Sequence, residues 1–206
     1  MVTGTQFHTL DTLYNYYNKK LFHGELPDCM ILTGGHKNDG SFFKMRSWKS
    51  KLTGEEPFIH EINLNPGCFD QDDSICHAEL VHGMVHVWQR DYGKASRGNY
   101  HNRQWAQKAE GAGLMPSSTG KPGGRRTGQK MSQYIIPGGR FAKAFQNLAD
   151  KRIKYVPSAL EGGNEAAKKA RSKTKYTCPL CTTKVWGKAG LAITCGDCNQ
   201  QFKQAD

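Results

Sequence analysis

Apolar side chains recur at intervals of three and four residues in three stretches of the chain, which is the period of an amphipathic helix. These stretches predict helices over about Thr9 to Phe22, Asp73 to Asp91 and Asn102 to Gly113. The second stretch is apolar around most of its circumference, so we expect a central, buried helix there. A shorter run from Phe141 to Leu148 predicts a fourth helix.

Short runs typical of β-strands lie between the first two helices. They cover Cys29–Thr33, Ser41–Trp48 and Phe58–Leu64, and a later run covers Tyr134–Ile136. Three successive strands predict a small, largely antiparallel sheet. The expected fold class is therefore α+β, with the helices packed on this sheet.

The composition is that of a globular protein: 37% of the 206 residues are hydrophobic and 23% are charged. No apolar run approaches the roughly 18 residues of a membrane span, and Met1 to Lys20 lack an export pattern. We therefore expect no membrane partner and a cytoplasmic location. No heptad repeat indicates a coiled coil, so a monomer is the default expectation.

The net charge of +11 is confined to one part of the sequence. Residues 1–120 carry 12 basic and 13 acidic side chains, residues 121–175 carry 14 and 3, and residues 176–206 carry 3 and 2. This distribution predicts a folded domain at 1–156, a basic linker at 157–175 and a small C-terminal module at 176–206.

Four of the seven cysteines form two C-x-x-C pairs in the C-terminal module, namely Cys178 with Cys181 and Cys195 with Cys198. Four thiolates at this spacing can bind one zinc ion tetrahedrally at about 2.3 Å, which predicts a zinc ribbon. Two disulfides are the alternative, and the lack of an export signal disfavours them. Between the pairs, 184–186 and 191–193 predict a β-hairpin whose core Phe202 completes.

A second metal site is indicated by His82 and His86, which lie four residues apart in the second predicted helix and so share one face. Two such imidazoles can share a zinc ion, and the alternative is a pair of hydrogen-bonded core histidines. A catalytic zinc site needs a third ligand, which His101 could supply from its place just before the third helix. His77 is the competing candidate, but it points around the helix from His82. The sequence thus predicts two zinc ions per chain.

Taken together, these motifs resemble the SprT-like proteins, a family that includes the DNA-associated protease Spartan and related bacterial and phage proteins. The resemblance rests on LYNYYN at 13–18, LFHGELP at 21–27, GSFF at 40–43, HEINLNP at 60–66, HGMVHVWQ at 82–89, YHN at 100–102, RTGQKM at 126–131 and the terminal ribbon. It implies a zincin-like metalloprotease domain with an HExxH helix, a third histidine beyond it and a C-terminal zinc ribbon. By this resemblance His82, His86 and His101 are the zinc ligands.

One position departs from the family pattern, because Gly83 stands where HExxH has its glutamate. That glutamate is the general base, and glycine has no side chain that could accept a proton. Glu79, one helical turn earlier, is a candidate substitute, or else a carboxylate that orients a ligand imidazole. We find no local gain from glycine in the sequence, since it costs about 1 kcal/mol relative to alanine within a helix.

The basic segment predicts contacts with nucleic-acid phosphates that are largely independent of base sequence. The candidate side chains are Arg125, Arg126, Lys130, Lys168, Lys169, Arg171, Lys173 and Lys175. The alternative is a solvated face that only aids solubility. The stretch 121–130 does not predict a nucleotide site, because Gln129 replaces the lysine of a phosphate loop. Trp186 and Phe202 could stack on bases or belong to the ribbon's core.

Two functions are consistent with these motifs. The first is a SprT-like zinc metallopeptidase acting on DNA-associated proteins, inactive or very weak because HExxH has become HGxxH at Gly83. The second is a non-catalytic, zinc-dependent nucleic-acid-binding protein with a protease fold. Both place the chain in the cytoplasm, on DNA.

Overall fold

A computed structural model describes residues 2–34, 41–49, 58–149 and 174–204 of the chain. The chain divides into two compact units, Met1–Pro157 and Ser158–Asp206. Within the described ranges the structure is α+β. Most of the linker predicted at 157–175, including Lys168, Lys169, Arg171 and Lys173, lies outside the described residues.

Four α-helices lie in the described part of the N-terminal unit. They are α1 (Val2–Leu21), α2 (Asp73–Tyr92), α3 (Arg103–Ala112) and α4 (Arg140–Asn147). All four were predicted, but α1 begins at Val2 rather than Thr9. The residues from Gly4 to Thr9 are exposed or half-buried, so they lack the buried stripe that marks a helix in sequence. Among the described residues, no helix is both long and apolar enough to cross a membrane.

The main sheet contains β1 (Cys29–Thr33), β2 (Phe42–Trp48) and β3 (Ile59–Leu64) in the order β1-β3-β2. Strand β3 pairs antiparallel with β2 but parallel with β1, so the prediction of a largely antiparallel sheet is wrong. The last strand takes the central place because it is buried along nearly its whole length and needs a partner at each edge. Its polar residues concealed this burial in the sequence. Two of them have partners inside the fold: His60 Nε2 lies 3.0 Å from Asp91 Oδ1, and Glu61 accepts from Trp48 Nε1 at 2.9 Å.

A second, two-stranded sheet joins β4 (Leu114–Ser117) to β5 (Ser132–Ile135) in antiparallel register. Strand β4 was not predicted, because Leu114 continues the apolar pattern of α3. The helix ends at Ala112, and its cap residue Gly113 has a φ of 100°, in the left-handed region that favours glycine. The turn directs Leu114 into the core, where it is 1% exposed, and starts the strand.

Helix α2 runs through the core of the N-terminal unit, as predicted, with most of its residues buried. Asp72 caps its first turn by accepting a hydrogen bond from the Ser74 amide at 2.9 Å. The helix packs against β2, β3, α1 and α3. It therefore holds its side chains in a rigid, solvent-poor setting.

The C-terminal unit contains β6 (Thr174–Thr177), β7 (Lys184–Gly187) and β8 (Lys203–Gln204) in the order β7-β6-β8. The predicted hairpin between 184–186 and 191–193 is wrong, because β7 pairs with β6, which begins inside the predicted linker. Residues 191–193 serve other contacts: Leu191 donates its amide to the Tyr176 hydroxyl at 3.0 Å. Tyr176 and Phe202 form the buried core with two cysteines, as expected for Phe202.

Candidate metal centres

Three histidines converge at one point of the N-terminal unit. The Nε2 atom of His101 lies 3.0 Å from Nε2 of His82 and 3.1 Å from Nε2 of His86. Tetrahedral bonds of about 2.0–2.1 Å from zinc to nitrogen give ligand nitrogens roughly 3.3 Å apart. The two distances from His101 are thus close to the edge of a metal tetrahedron, and all three ligand atoms lie within 4.8 Å of one another.

The hydrogen bonds on the far side of two rings define where their protons lie. His82 Nδ1 donates to Gln133 Oε1 at 2.6 Å, and His101 Nδ1 donates to the Gly128 carbonyl at 3.1 Å. Each acceptor is a carbonyl oxygen, so the proton of each neutral ring is on Nδ1 and the lone pair of Nε2 faces the other ring. Two facing lone pairs 3.0 Å apart repel unless a cation lies between them.

A proton does not readily serve as this cation, because burial of the three imidazoles disfavours their charged form. Burial lowers the pKa of His82 and of His101 to about 4, and it lowers that of His86 well below its ordinary value. The rings are therefore neutral near pH 7, and neutral imidazole is the form that binds metals. The donor set fits a metal ion at this point.

Aromatic side chains surround the three imidazoles. Trp105 is fully buried, and its ring centroid lies 4.4 Å from His101, 4.6 Å from His82 and 5.2 Å from His86. Phe43 of β2 stacks parallel to His86 at 5.7 Å. These contacts restrict the ring orientations, which pre-organises the three nitrogens.

His101 is delivered by a loop that is tied down on both sides. Asn102 caps α3 by accepting from the Trp105 amide at 3.0 Å. The backbone of His101 exchanges two hydrogen bonds with Gly128, at 3.0 and 3.1 Å. The competing candidate, His77, is not part of the group: it is fully buried and its Nδ1 lies 2.8 Å from the Tyr17 hydroxyl.

Gly83 lies against the sheet, and its missing side chain has a steric reason. A Cβ atom at this position would lie 2.7 Å from Cγ2 and 3.1 Å from Cγ1 of Ile62 in β3. Both distances are shorter than ordinary van der Waals contact, and a β-branched side chain yields poorly. Contrary to the sequence-based expectation, glycine brings a local gain: it lets α2 approach β3 closely.

The three histidines and Gly83 line a cleft with a volume of about 520 Å³. Glu79 lines it too, and it is the only acidic residue among the described residues that do so. Its Oε1 accepts from Gln133 Nε2 at 2.9 Å, and a further hydrogen bond comes from Ser41. Burial raises its pKa. The carboxylate is therefore already engaged by side chains, and it contacts His82 only through Gln133.

Sequence reasoning missed Gln133 and Gly128 as partners of the histidines. Gln133 lies 51 positions from His82, and Gly128 lies 27 positions from His101. Only the RTGQKM stretch, which includes Gly128, carried any signal, and it came from the family resemblance. Contacts across such distances follow from the packing of β5 and its preceding loop, which no local pattern encodes.

Four cysteines form the second group in the C-terminal unit. The sulfur atoms of Cys178, Cys181, Cys195 and Cys198 all lie within 4.8 Å of one another. Each pair sits in the same kind of turn: Thr182 donates its amide to Cys178 O at 3.0 Å, and Asn199 donates to Cys195 O at 2.8 Å. Thr182 and Asn199 also share a positive φ, of 60° and 51°. Two matching turns thus present four sulfurs to one point.

One of the described nucleic-acid candidates, Lys130, lies in the cleft of the three histidines. Arg125 and Arg126 are exposed, and Arg126 pairs with Glu110, which offsets its charge. Lys130 is exposed as well. Lys175 lies in β6 rather than in a linker.

Comparisons with protein-family models, with curated proteins and with solved structures each found no match to this chain. The fold and the sites define an α+β protein with a three-histidine group and a four-cysteine group, each of which could bind a metal ion.

Proposed function

We propose that the chain is a zinc-binding SprT-like protein: a zincin-like unit followed by a zinc ribbon, with a protease site that lacks its general base. The convergence of three Nε2 atoms beside Gly83 carries this proposal. Zinc is the metal that best suits both donor sets, because it accepts neutral imidazole and thiolate in tetrahedral geometry. The resemblance of segments such as HGMVHVWQ to the family's motifs supports the proposal.

The residues around the histidines supply binding but little proton transfer. A zinc ion in an open three-histidine site would act as a Lewis acid toward a peptide carbonyl. Gly83 offers no group to accept a proton, and Glu79 is held by Gln133 and Ser41. Loss of a general base costs roughly 10²- to 10⁴-fold in rate, so we propose that the chain cleaves proteins very weakly or not at all.

We propose further that the chain acts on or beside DNA-bound proteins in the cytoplasm, as a monomer. The excess of basic residues in 121–175 supports a polyanionic partner. The ribbon adds a second basic surface. Cross-strand register places Lys175 opposite Trp186, and Thr177 opposite both Lys184 and Lys203, on the sheet face away from buried Tyr176.

The exposure of Trp186 favours the second candidate function, a non-catalytic nucleic-acid-binding protein. Its side chain is 60% exposed among three lysines, so it does not belong to the ribbon's core. A base can stack on such a ring while the lysines contact phosphates. Phe202, by contrast, is 9% exposed and serves the core.

Proteolysis assays separate the two functions. The original chain, Gly83→Glu and Gly83→Glu/Ile62→Ala are each incubated with casein and with a DNA-bound protein, with and without DNA. The double variant is needed because Ile62 occupies the space beside residue 83. We expect it to cleave at least about 100-fold faster than the original chain.

A matched control carries His101→Ala in the double-variant background and should abolish the gained activity. Equal rates for the original and both glutamate variants would contradict the silenced-protease proposal. If no version cleaves any substrate while DNA binding persists, the binding function is favoured instead.

A further inference from the structure

Three side chains form a continuous hydrogen-bonded chain behind the three-histidine group. Glu79 Oε1 accepts from Gln133 Nε2 at 2.9 Å, and Gln133 Oε1 accepts from His82 Nδ1 at 2.6 Å. Glu79 and His82 both lie in α2, whereas Gln133 comes from β5. These two hydrogen bonds therefore connect the two-stranded sheet to the face of α2 that carries His82.

A primary amide has a donor end and an acceptor end, so fixing one end fixes the other. An ionised carboxylate only accepts hydrogen bonds, which holds the Nε2 end of Gln133 toward Glu79. The Oε1 end then faces His82. The reversed amide would present N–H groups to His82 Nδ1 and would place the imidazole proton on Nε2, facing His101.

We propose that Glu79 and Gln133 are positioning residues that hold His82 in the tautomer with its proton on Nδ1. In this tautomer the lone pair of Nε2 points at the meeting point of the three histidines. The role differs from that of a catalytic base, because Glu79 reaches His82 only through the amide.

His101 provides an internal comparison. Its Nδ1 donates to a backbone carbonyl, that of Gly128, so the main chain holds this proton on Nδ1. The tautomer of His82 depends on two side chains that can be replaced. Substitutions at Glu79 and Gln133 should therefore change His82 and leave His101 as it is.

The direct test is ¹⁵N NMR of the imidazoles in the metal-free full-length chain, which distinguishes the two neutral tautomers. The variants are Gln133→Leu, Glu79→Gln and the exchanged pair Glu79→Gln/Gln133→Glu. In the exchanged pair the carboxylate can accept from both His82 and the new amide, so the order of donors and acceptors is restored. Gln71→Leu is the matched control, because among the described residues the Gln71 side chain bonds to the Gly67 carbonyl and not to a histidine.

We expect His82 to carry its proton on Nδ1 in the original chain, in the exchanged pair and in the control. Gln133→Leu should move the proton largely to Nε2, and Glu79→Gln should give a mixture. The proposal is overturned if His82 carries its proton on Nε2 in the original chain, or if Gln133→Leu leaves the tautomer unchanged.

A second readout is zinc affinity, measured by competition with a chromophoric chelator, and this readout alone rests on the proposed function. Gln133→Leu should weaken binding at the three-histidine site by about 10- to 100-fold, and the exchanged pair should recover most of it. If the tautomers respond as expected but the three-histidine site binds no zinc, the proposed function fails and the positioning role stands. If zinc binds but the tautomers do not respond, the positioning role fails alone.

Discussion

The close approach of Gly83 to Ile62 makes the replacement of this glycine a sensitive test of the helix–sheet packing. An alanine would place its Cβ atom 2.7 Å from Ile62 Cγ2, where ordinary contact begins at about 3.4 Å. Gly111, in α3, is the matched control, because a Cβ atom there meets nothing within 4 Å. Both glycines lie inside helices, so the two substitutions share the same change in helix propensity.

The expected magnitudes differ clearly between the two sites. Alanine stabilises an exposed helical position by up to about 1 kcal/mol relative to glycine, which is the effect expected for Gly111→Ala. At Gly83 the same gain is opposed by overpacking, which costs about 1–3 kcal/mol. We therefore expect Gly83→Ala to lower the free energy of unfolding by about 0–2 kcal/mol.

A double-mutant cycle with Ile62→Ala isolates the contact. Removing the Ile62 side chain alone should cost about 2–5 kcal/mol, because it leaves a cavity in the core. Combined with Gly83→Ala it should cost less than the sum of the two single changes, by about 1–3 kcal/mol. Urea unfolding, followed through the indole resonance of buried Trp105, measures all four corners in zinc-saturated buffer. The reasoning is refuted if Gly83→Ala matches Gly111→Ala and shows no coupling to Ile62.

Three further outcomes are expected. His101→Ala should release one of two zinc ions and Cys195→Ser the other, as counted by native mass spectrometry, and release of both by either change would contradict independent sites. In metal-free protein, the folded state leaves His82 unprotonated down to a pKa of about 4, whereas the unfolded chain takes up its proton near 6.5. The free energy of unfolding should therefore fall as pH drops from 6.5 to 4, and His82→Gln should flatten that slope in urea titrations at each pH. Trp186→Ala should weaken single-stranded DNA binding by roughly 5- to 150-fold, as expected for a lost stack of 1–3 kcal/mol. Trp48→Ala is its control. Equal affinities for both variants would exclude the sheet face that carries Trp186 as the DNA-binding surface.

The parts of the structure that follow a local pattern could be predicted from sequence. The four helices have apolar repeats, and Cys29–Thr33 is a strand with the predicted bounds. The pairing of His82 with His86 follows from the pitch of a helix. Each of these features depends on residues close together in the chain.

The parts that depend on long-range packing could not be predicted. The central place of β3 arises from its burial on both faces, which the polar residues His60, Glu61 and Asn63 concealed. The contact of Gly83 with Ile62 and the hydrogen bond of Gln133 to His82 join residues far apart in the chain. From the sequence, Gly83 was expected to destabilise its helix without any local gain. The contact of α2 with Ile62 in β3 explains why a glycine stands there.

In the C-terminal unit the error had a similar origin. The apolar residues 191–193 looked like a strand, but Tyr176 and Phe202 satisfy the backbone there. The partner of β7 is β6. The start of β6 was predicted to belong to the linker, because the residues before it are rich in positive charge. The prediction from local composition therefore missed strand β6. The prediction of a four-cysteine group did not depend on it, because it came from the spacing of the cysteines.

The central claim is that one chain holds two zinc ions in different donor sets. Zinc K-edge X-ray absorption of the purified full-length protein, combined with the zinc content, tests it directly. We predict two zinc ions per chain and a first shell divided equally between sulfur at about 2.3 Å and nitrogen or oxygen at about 2.0–2.1 Å. A single zinc ion per chain with an all-sulfur shell would contradict the three-histidine site.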